Sequence, residues 1–363
     1  MKRWAWLERD AAAFTANLQQ MGARGGRGVI AVLKANAYGH GATWAARLAE
    51  RAGAVAIAVA TADEALALRT HGVLLPILVL GALPPDAVSD LARADVAVTI
   101  HQAAGLSDLV SAVPADARLA VHLMVDTGMH RLGVSPDQAP AVAARIEGES
   151  RLRLEGLYTH LATADSDQPA AAAQLTRFRQ VVTNIAKRPP MVHALNSAGV
   201  LRLSFPEADL VRPGIALYGL SPFGQAHPAQ GLKPVLRLLA RAVQVHRLKP
   251  GDGVGYGFSY VAAQPMQVAV LPLGYADGYP RQLGGQAQVL WRSQRYPVVG
   301  RVSMDMLAVG LPADCPVAVG DLFTLIGQDG REQIFADELA ALAATIGYDV
   351  VCGLSQRLEF SDR

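Results

Sequence analysis

Gly28-Val-Ile-Ala-Val-Leu33 runs apolar without interruption and stops at Lys34. A strand with one wet face alternates apolar and polar residues, whereas one apolar on both faces belongs in a buried parallel sheet. The same texture returns at Ala54–Ala60, Ile77–Leu80, Val96–Ile100, Leu119–Val125, Leu154–Thr159, Met191–Leu195 and Leu210–Tyr218. Between these runs lie Ala- and Leu-rich stretches with Glu, Arg and Gln at helical spacing, such as Ala42–Arg51 and Ala170–Ala186. Repeated βα units, about 25 residues each, predict an α/β fold, a (β/α)8 TIM barrel, with a doubly wound sheet as the alternative.

The pattern breaks after Tyr218. Ser221 to Pro234 carries Pro222, Gly224, Pro228, Gly231 and Pro234 and reads as a linker. Beyond it, Leu236–Val245, Gln267–Leu273, Gln286–Trp291 and Pro297–Val302 are parted by Gly, Pro and Asp turns, and a long helical pattern returns only at Asp337–Ile346. The expectation is a barrel over residues 1–230 and a mostly β C-terminal domain over 231–363. The length of 363 residues agrees with two or more domains at roughly 150 residues each.

Thirty-three Lys and Arg face 31 Asp and Glu, a net charge of +2. That balance speaks against nucleic acid and against a polybasic membrane foot as partners, since both need a one-signed surface. At 51% hydrophobic and 18% charged, the chain can bury a sizeable core. Cys315 and Cys352 cannot build a disulfide framework, and no CxxC points to zinc, so no metal is expected. At the N-terminus, Lys2 and Arg3 are followed by an apolar run that ends at once at Glu8, Arg9 and Asp10, which is not a signal peptide. The longest apolar run, Gly72 to Pro85, contains Pro76 and is shorter than the ~20 residues of a spanning helix. The expected location is the cytoplasm.

In a barrel, residues just past the C-terminal end of each strand point into one mouth. Lys34 follows the first strand, Arg131 the fifth, His160 the sixth, Asn196 and Ser197 the seventh, and Arg212 and Gly214 belong to the eighth. Singly, each has a bland reading: a lysine that snorkels to solvent, a structural histidine, an arginine in a rim ion pair. Together they fall at one end of the barrel, where independent scatter would put only about half of them. A lysine desolvated in such a mouth has an accessible neutral amine that can capture an aldehyde. Ser197 and the amides of Gly214 and Ile215 follow strands seven and eight, where barrels often bind phosphate. A phosphate site, an aldehyde-capturing lysine and the flat ring of His160 point to pyridoxal 5′-phosphate as cofactor.

The segments carrying these residues resemble those of the alanine racemase family. Ala31–Gly41 is similar to its lysine segment, Val125–Gly133 to its substrate-arginine segment and Val211–Gly219 to the segment that partners the pyridine ring. In the second domain, Val254–Tyr260, Gly274–Pro280 and Gly300–Asp305 also resemble family segments, in the same order. The resemblance implies a head-to-tail homodimer with active sites shared between one chain's barrel and the other's β domain. It implies that Lys34 carries the cofactor covalently and serves as one acid/base, with Tyr256 of the partner subunit as the other. Arg131 and the backbone amide of the partner's Met304 would hold the substrate carboxylate. Tyr38, Ser197, Gly214 and Ile215 would hold the phosphate, Arg212 would face the pyridine nitrogen, and His160 would lie near the ring. The implied activity is interconversion of L- and D-alanine by two bases, supplying D-alanine for peptidoglycan or serving alanine catabolism.

The chain departs from the family at three places. Met124 stands where many members have a carbamylated lysine that braces the substrate arginine; methionine offers a guanidinium no anion. Gln356, in Ser355-Gln-Arg357, stands where some have a tyrosine touching the phosphate. Ser303 replaces a cysteine before the Met-Asp pair, with little effect expected. Competing readings are a non-catalytic cofactor-binding barrel, which would lack the second domain, a decarboxylase, which would carry an acidic partner for the pyridine nitrogen, and a broad-specificity amino-acid racemase.

Overall fold

The computed structural model describes residues 3–224 and 231–363. The chain divides into a barrel unit, Thr15–Leu217, and a second unit made of Tyr218–Arg363 with the N-terminal residues through Phe14. The first strand is β1 (Ala5–Arg9). The barrel strands are β2 (Gly28–Val32), β3 (Ala56–Val59), β4 (Ile77–Val79), β5 (Val96–Ile100), β6 (Leu119–Met124), β7 (Leu152–Tyr158), β8 (Met191–His193) and β9 (Leu210–Val211). They close in sequence order, every neighbouring pair parallel, with β9 returning to β2 through Gly28 and Leu210. The barrel expected from the apolar runs is therefore the fold. Its strands are buried on both faces: every residue of β3, β4, β5 and β6 is buried, as strands covered by crossover helices must be.

The helix Ala42–Arg51 matches the expected range, and the stretch expected at Ala170–Ala186 forms the helix Gln168–Asn184. Asp167 caps the latter by accepting from the Ala170 amide, satisfying a donor that the first helical turn leaves free.

The second unit is mostly β. Its strands are β10 (Leu236–Arg241), β11 (Gln244–Leu248), β12 (Gly253–Val254), β13 (Tyr260–Val261), β14 (Met266–Leu271), β15 (Gln288–Trp291), β16 (Gln294–Val299), β17 (Leu307–Pro312), β18 (Leu322–Asp329), β19 (Glu332–Ile334) and β20 (Glu359–Asp362). A single sheet runs β11-β14-β17-β16-β15-β18-β10-β1-β20, with β19 beside β18, and β12 and β13 form a separate hairpin. The expected run Leu236–Val245 is two strands, broken at Ala242 and Val243. The helical pattern at Asp337–Ile346 forms the shorter helix Ala336–Leu342, and a second helix, Gly347–Gly353, follows that stretch.

One element falls on the other side of the expected division. β1 lies in the second unit's sheet, antiparallel to β10 and parallel to β20, and not in the barrel to which a division at 230 assigns it. Its apolar residues Ala5, Trp6 and Leu7 are buried there. Residues 225–230, including Pro228 of the expected linker and the expected boundary itself, and Lys2 lie outside the described residues. Among the described residues, no helix is long and apolar enough to cross a membrane.

Candidate active site in the barrel mouth and a companion surface

Lys34 directly follows Leu33 at the end of β2, and the chain then does something ordinary residues avoid. Ala35, Asn36, Ala37 and Tyr38 have φ of 53°, 52°, 56° and 51°, a complete turn of left-handed helix built without glycine. Each such residue costs roughly 1–2 kcal/mol through Cβ crowding against the carbonyl. Local hydrogen bonds hold the turn. The amide of Ala37 donates to Leu33 O, Gly39 N to Ala35 O, and Gly41 N to Asn36 O. Asn36 Oδ1 accepts from Ala42 N, His40 Nδ1 meets Tyr38 O at 2.8 Å, and Glu64 Oε1 accepts from Ala35 N at 2.6 Å.

At the far end of the turn, Tyr38 is buried with its hydroxyl against Gly214. A Cβ on residue 214 would stand 2.4 Å from that oxygen, so only glycine fits. Ser197 Oγ accepts from the amides of Gly214 (2.9 Å) and Ala216 (3.2 Å). Asn196 caps the helix Ser197–Arg202 through Gly199 N. Two hydroxyls and the amides of Gly214 and Ala216 thus meet around Gly214, groups of the kind that bind phosphate.

Arg212 is 3% exposed and surrounded by neutral acceptors. Its Nη1 donates to His193 Nδ1 at 2.8 Å, and Nη2 donates to Thr159 O (2.7 Å) and Ala194 O (3.3 Å), with His160 Nδ1 at 3.5 Å. Its Cζ also sits over the Tyr158 ring at 4.9 Å. Burial pushes the guanidinium down to about 10, which leaves it charged at neutral pH.

These contacts fix proton positions. A guanidinium only donates, so His193 Nδ1 must accept and its proton sits on Nε2. That proton points at His122 Nδ1, 2.8 Å away, which must accept in turn. His122 reaches this place because β6 slips one residue against β7 between Val121 and His122, and because residue 156 opposite is glycine. A Cβ there would lie 2.0 Å from His122 Nδ1. Tyr158 stacks on His193 at 4.8 Å and shares a hydrogen bond with Thr99. Burial, with the Arg212 charge adding to it, pushes His122 down to about 3 and His193 well below its ordinary value. His160 is held at about 3 by burial first, then by the charges of Arg212, Arg131 and Lys34.

Arg131 is carried by a loop knotted on Asp126, whose Oδ1 accepts from the amides of Gly128, Met129 and His130 at 2.9–3.1 Å. These hydrogen bonds outweigh its partial burial and keep the carboxyl below its usual range. Gly133, at φ 122°, lets the chain pass Asp126: a Cβ would be 2.5 Å from its amide. Among the described residues Arg131 has no hydrogen-bond or ion-pair partner. Met124 is buried at the end of β6 and provides none.

The structure thus gathers Lys34, Tyr38, Arg131, His160, Ser197, Arg212, Gly214 and Ile215 at the C-terminal end of the barrel. Sequence reasoning passed over His193, His122 and Glu64. The signal for the first two was available: a histidine inside an otherwise apolar barrel strand needs a partner, and two such strands each carry one.

Tyr256 and Met304 belong to the second unit. Tyr256 opens a tight turn between glycines at φ 67° and 70° and is 73% exposed. Met304 is 53% exposed. Its loop is pinned from beneath: Tyr275 N donates to Ser303 O and Ala276 N to Met304 O, both at 3.0 Å. Gly274 allows this, since a Cβ would lie 2.2 Å from Ser303 O. Buried Asp277 ties that turn to Arg3 and to Arg357, which also pairs with Asp305. Ser303 closes the loop by donating to Met306 O and accepting from Met306 N. Gln356 is exposed. Phe258, Tyr275 and Met306 of the same unit are also exposed.

The family model described as "Alanine racemase, N-terminal domain" matches residues 10–222, and that described as "Alanine racemase, C-terminal domain" matches residues 235–361. An alanine racemase of Symbiobacterium thermophilum is 41% identical over 98% of this chain and 96% of its own length. The crystal structure of alanine racemase from E. faecalis superposes with a TM-score of 0.94 at 37% identity, covering 99% of this chain and 98% of that one. A histidine racemase from Leuconostoc mesenteroides superposes with a TM-score of 0.92 at 30% identity, covering 100% and 98%.

Proposed function

Because the chain belongs to the alanine racemase family of isomerases, we propose that it interconverts L- and D-alanine with pyridoxal 5′-phosphate bound at the barrel mouth and with Lys34 and Tyr256 as its two acid/bases. The observation that carries the reading is the convergence of Lys34, Arg131, His160 and Arg212 on one mouth beside the Tyr38–Ser197–Gly214 cluster. The donor set fits the cofactor: amides and hydroxyls for its phosphate, a flat neutral His160 for its ring, and a lysine for its aldehyde.

When bound, the cofactor supplies a conjugated ring that spreads the negative charge left on Cα. The protein's residues do the rest. Arg131 binds the substrate carboxylate. Lys34 Nζ exchanges the α-proton on one face and the Tyr256 hydroxyl exchanges it on the other, each group worth roughly 10²–10⁴-fold. Arg212, whose guanidinium keeps its protons, would be the partner of the pyridine nitrogen and would donate to it without protonating it. Tyr256 and the Met304 amide act in the partner subunit's site, and the exposure of both residues in this chain supports a head-to-tail homodimer. The family relationship supports a cytoplasmic enzyme, serving D-alanine supply for peptidoglycan or alanine breakdown.

The test is D-alanine formation from L-alanine with and without added cofactor, followed by borohydride reduction and peptide mapping. Label on Lys34 and cofactor-dependent turnover are expected. Label on another lysine refutes the site. The similarity to a histidine racemase makes a second reading specific: faster turnover of L-histidine than of L-alanine would move the substrate assignment while leaving the site intact.

A further inference from the structure

The left-handed turn that follows Lys34 is tied at its first amide to a side chain of another βα unit, Glu64. Glu64 is the third residue of the helix Ala62–Thr70, and with Thr61 it forms a capping box. In that motif the glutamate returns to the N-cap amide and nothing more. Here the carboxylate does three things. Oε2 accepts from Thr61 N at 3.3 Å, as the motif requires, and from Ala60 N at 2.7 Å, at the end of β3. Oε1 crosses to the neighbouring strand and accepts from Ala35 N at 2.6 Å, 29 residues away in sequence. The two shortest contacts are therefore the ones a helix cap does not need.

Ala35 N belongs to the peptide that joins Lys34 to the left-handed turn. Its direction sets the plane of that peptide and so the direction in which Lys34 leaves β2. The other end of the same turn delivers the Tyr38 hydroxyl to Gly214. Four consecutive residues in a disfavoured region will relax unless both ends are held. The C-terminal end is held by Asn36 on Ala42 N and by His40 on Tyr38 O. The N-terminal end, next to Lys34, is held by Glu64.

We propose that Glu64 is a positioning residue for Lys34, which clamps the ends of β2 and β3 so that the turn from Lys34 to Tyr38 keeps its left-handed form. It sets both the aim of the lysine amine and the span from that amine to the groups around Gly214. The inference rests on the reading of Lys34 as the residue that captures the cofactor.

The test separates clamping from capping. Thr61→Ala removes the hydroxyl of the cap and leaves the Ala35 and Ala60 bonds intact; Glu64→Ala removes all three. Apoprotein of each is titrated with pyridoxal 5′-phosphate, and covalent capture at Lys34 (amine plus aldehyde, water leaving) is followed by absorbance and by borohydride trapping. Glu64→Ala is expected to slow capture and to lower kcat for L-alanine by about tenfold or more, the scale of a misaligned reacting group, with KM little changed. Thr61→Ala is expected to lower the melting temperature and leave capture at the wild-type rate. Glu64→Gln has one acceptor oxygen for two strand ends and should fall between, so it decides the matter if Glu64→Ala does not fold. Capture by both Glu64 variants at the rate of Thr61→Ala, or by Glu64→Gln at the wild-type rate, overturns the proposal. Failure of the wild-type protein to capture the cofactor at Lys34 overturns instead the reading on which it rests.

Discussion

Arg212 Nη1 stands 2.8 Å from His193 Nδ1, so a fully buried guanidinium is met by a neutral ring nitrogen where a carboxylate would be commonplace. Among the described residues Arg212 meets only neutral acceptors, so its charge is left to act on an acceptor in the mouth. The arrangement works only while the imidazoles stay neutral, because a second cation at 2.8 Å would be expelled.

Acid stability follows from that condition. In the unfolded chain a histidine takes up a proton near 6.5. In the barrel His122 and His160 wait until about 3, and His193 is also held far down. The unfolded state therefore binds more protons as pH falls from 6.5, and stability that is complete above 6.5 drains away towards 3. Three such groups give a slope of at most about 4 kcal/mol per pH unit. Asp337, raised to about 6 by burial, opposes this with one proton. Urea midpoints at pH 7 and pH 5 check it; a midpoint unchanged over that interval would contradict neutral burial of the three rings.

Gly156→Ala should disrupt the relay without touching any residue that meets substrate. The new methyl would sit 2.0 Å from His122 Nδ1. Overpacking of this kind costs about 1–3 kcal/mol. The expected result is a lower melting temperature and loss of the His122–His193 hydrogen bond in nitrogen-15 spectra of the imidazoles. Wild-type stability together with unaltered ring signals would show that β6 can yield here.

Arg131 lacks a partner among the described residues, and Met124 supplies no anion. A guanidinium in such a mouth recruits an acceptor. We expect halide to occupy the place, with turnover rising as chloride is added to a halide-free buffer and saturating by mass action. Met124→Lys should weaken the halide effect and introduce sensitivity to bicarbonate. Kinetics indifferent to halide would eliminate a bound free anion.

If Tyr256 acts across subunits, Lys34→Ala and Tyr256→Phe are each inactive alone and complementary when mixed. Statistical exchange makes half of the dimers hybrids, each with one intact site, so about one quarter of wild-type activity should return. No recovery despite demonstrated exchange would place Tyr256 in its own chain's site or outside catalysis.

The barrel was legible because a parallel strand covered on both faces has only apolar residues to offer, and β2 to β9 say so one after another. The mouth was legible for the same reason: Lys34, His160 and Arg212 interrupt that texture just past the ends of β2, β7 and β9, and Arg131 follows in the loop after β6. β1 was not, since Trp4 to Leu7 reads alike whether it pairs with β2 or with strands more than 220 residues on. The turn at Ala35–Tyr38 was hidden too. Nothing in Ala-Asn-Ala-Tyr asks for positive φ, and Glu64, whose carboxylate holds the first amide of the turn, lies in another βα unit. His193 and His122 looked like strand residues because their pairing depends on a one-residue slip that only the packed barrel reveals.

The place of β1 has a consequence in time. It lies between β10 and β20, paired to both. A chain grows at roughly 5–20 residues per second, so β1 is made some 20–70 s before β20 exists. For that interval a buried-type strand bearing Trp6 and Leu7 has no finished sheet to enter. Its neighbours, once made, would without it present two raw edges to any other strand at hand. Until β20 is made, β1 has β10 at most for a partner, and a fragment cut at the barrel's border would inherit the exposed edges for good.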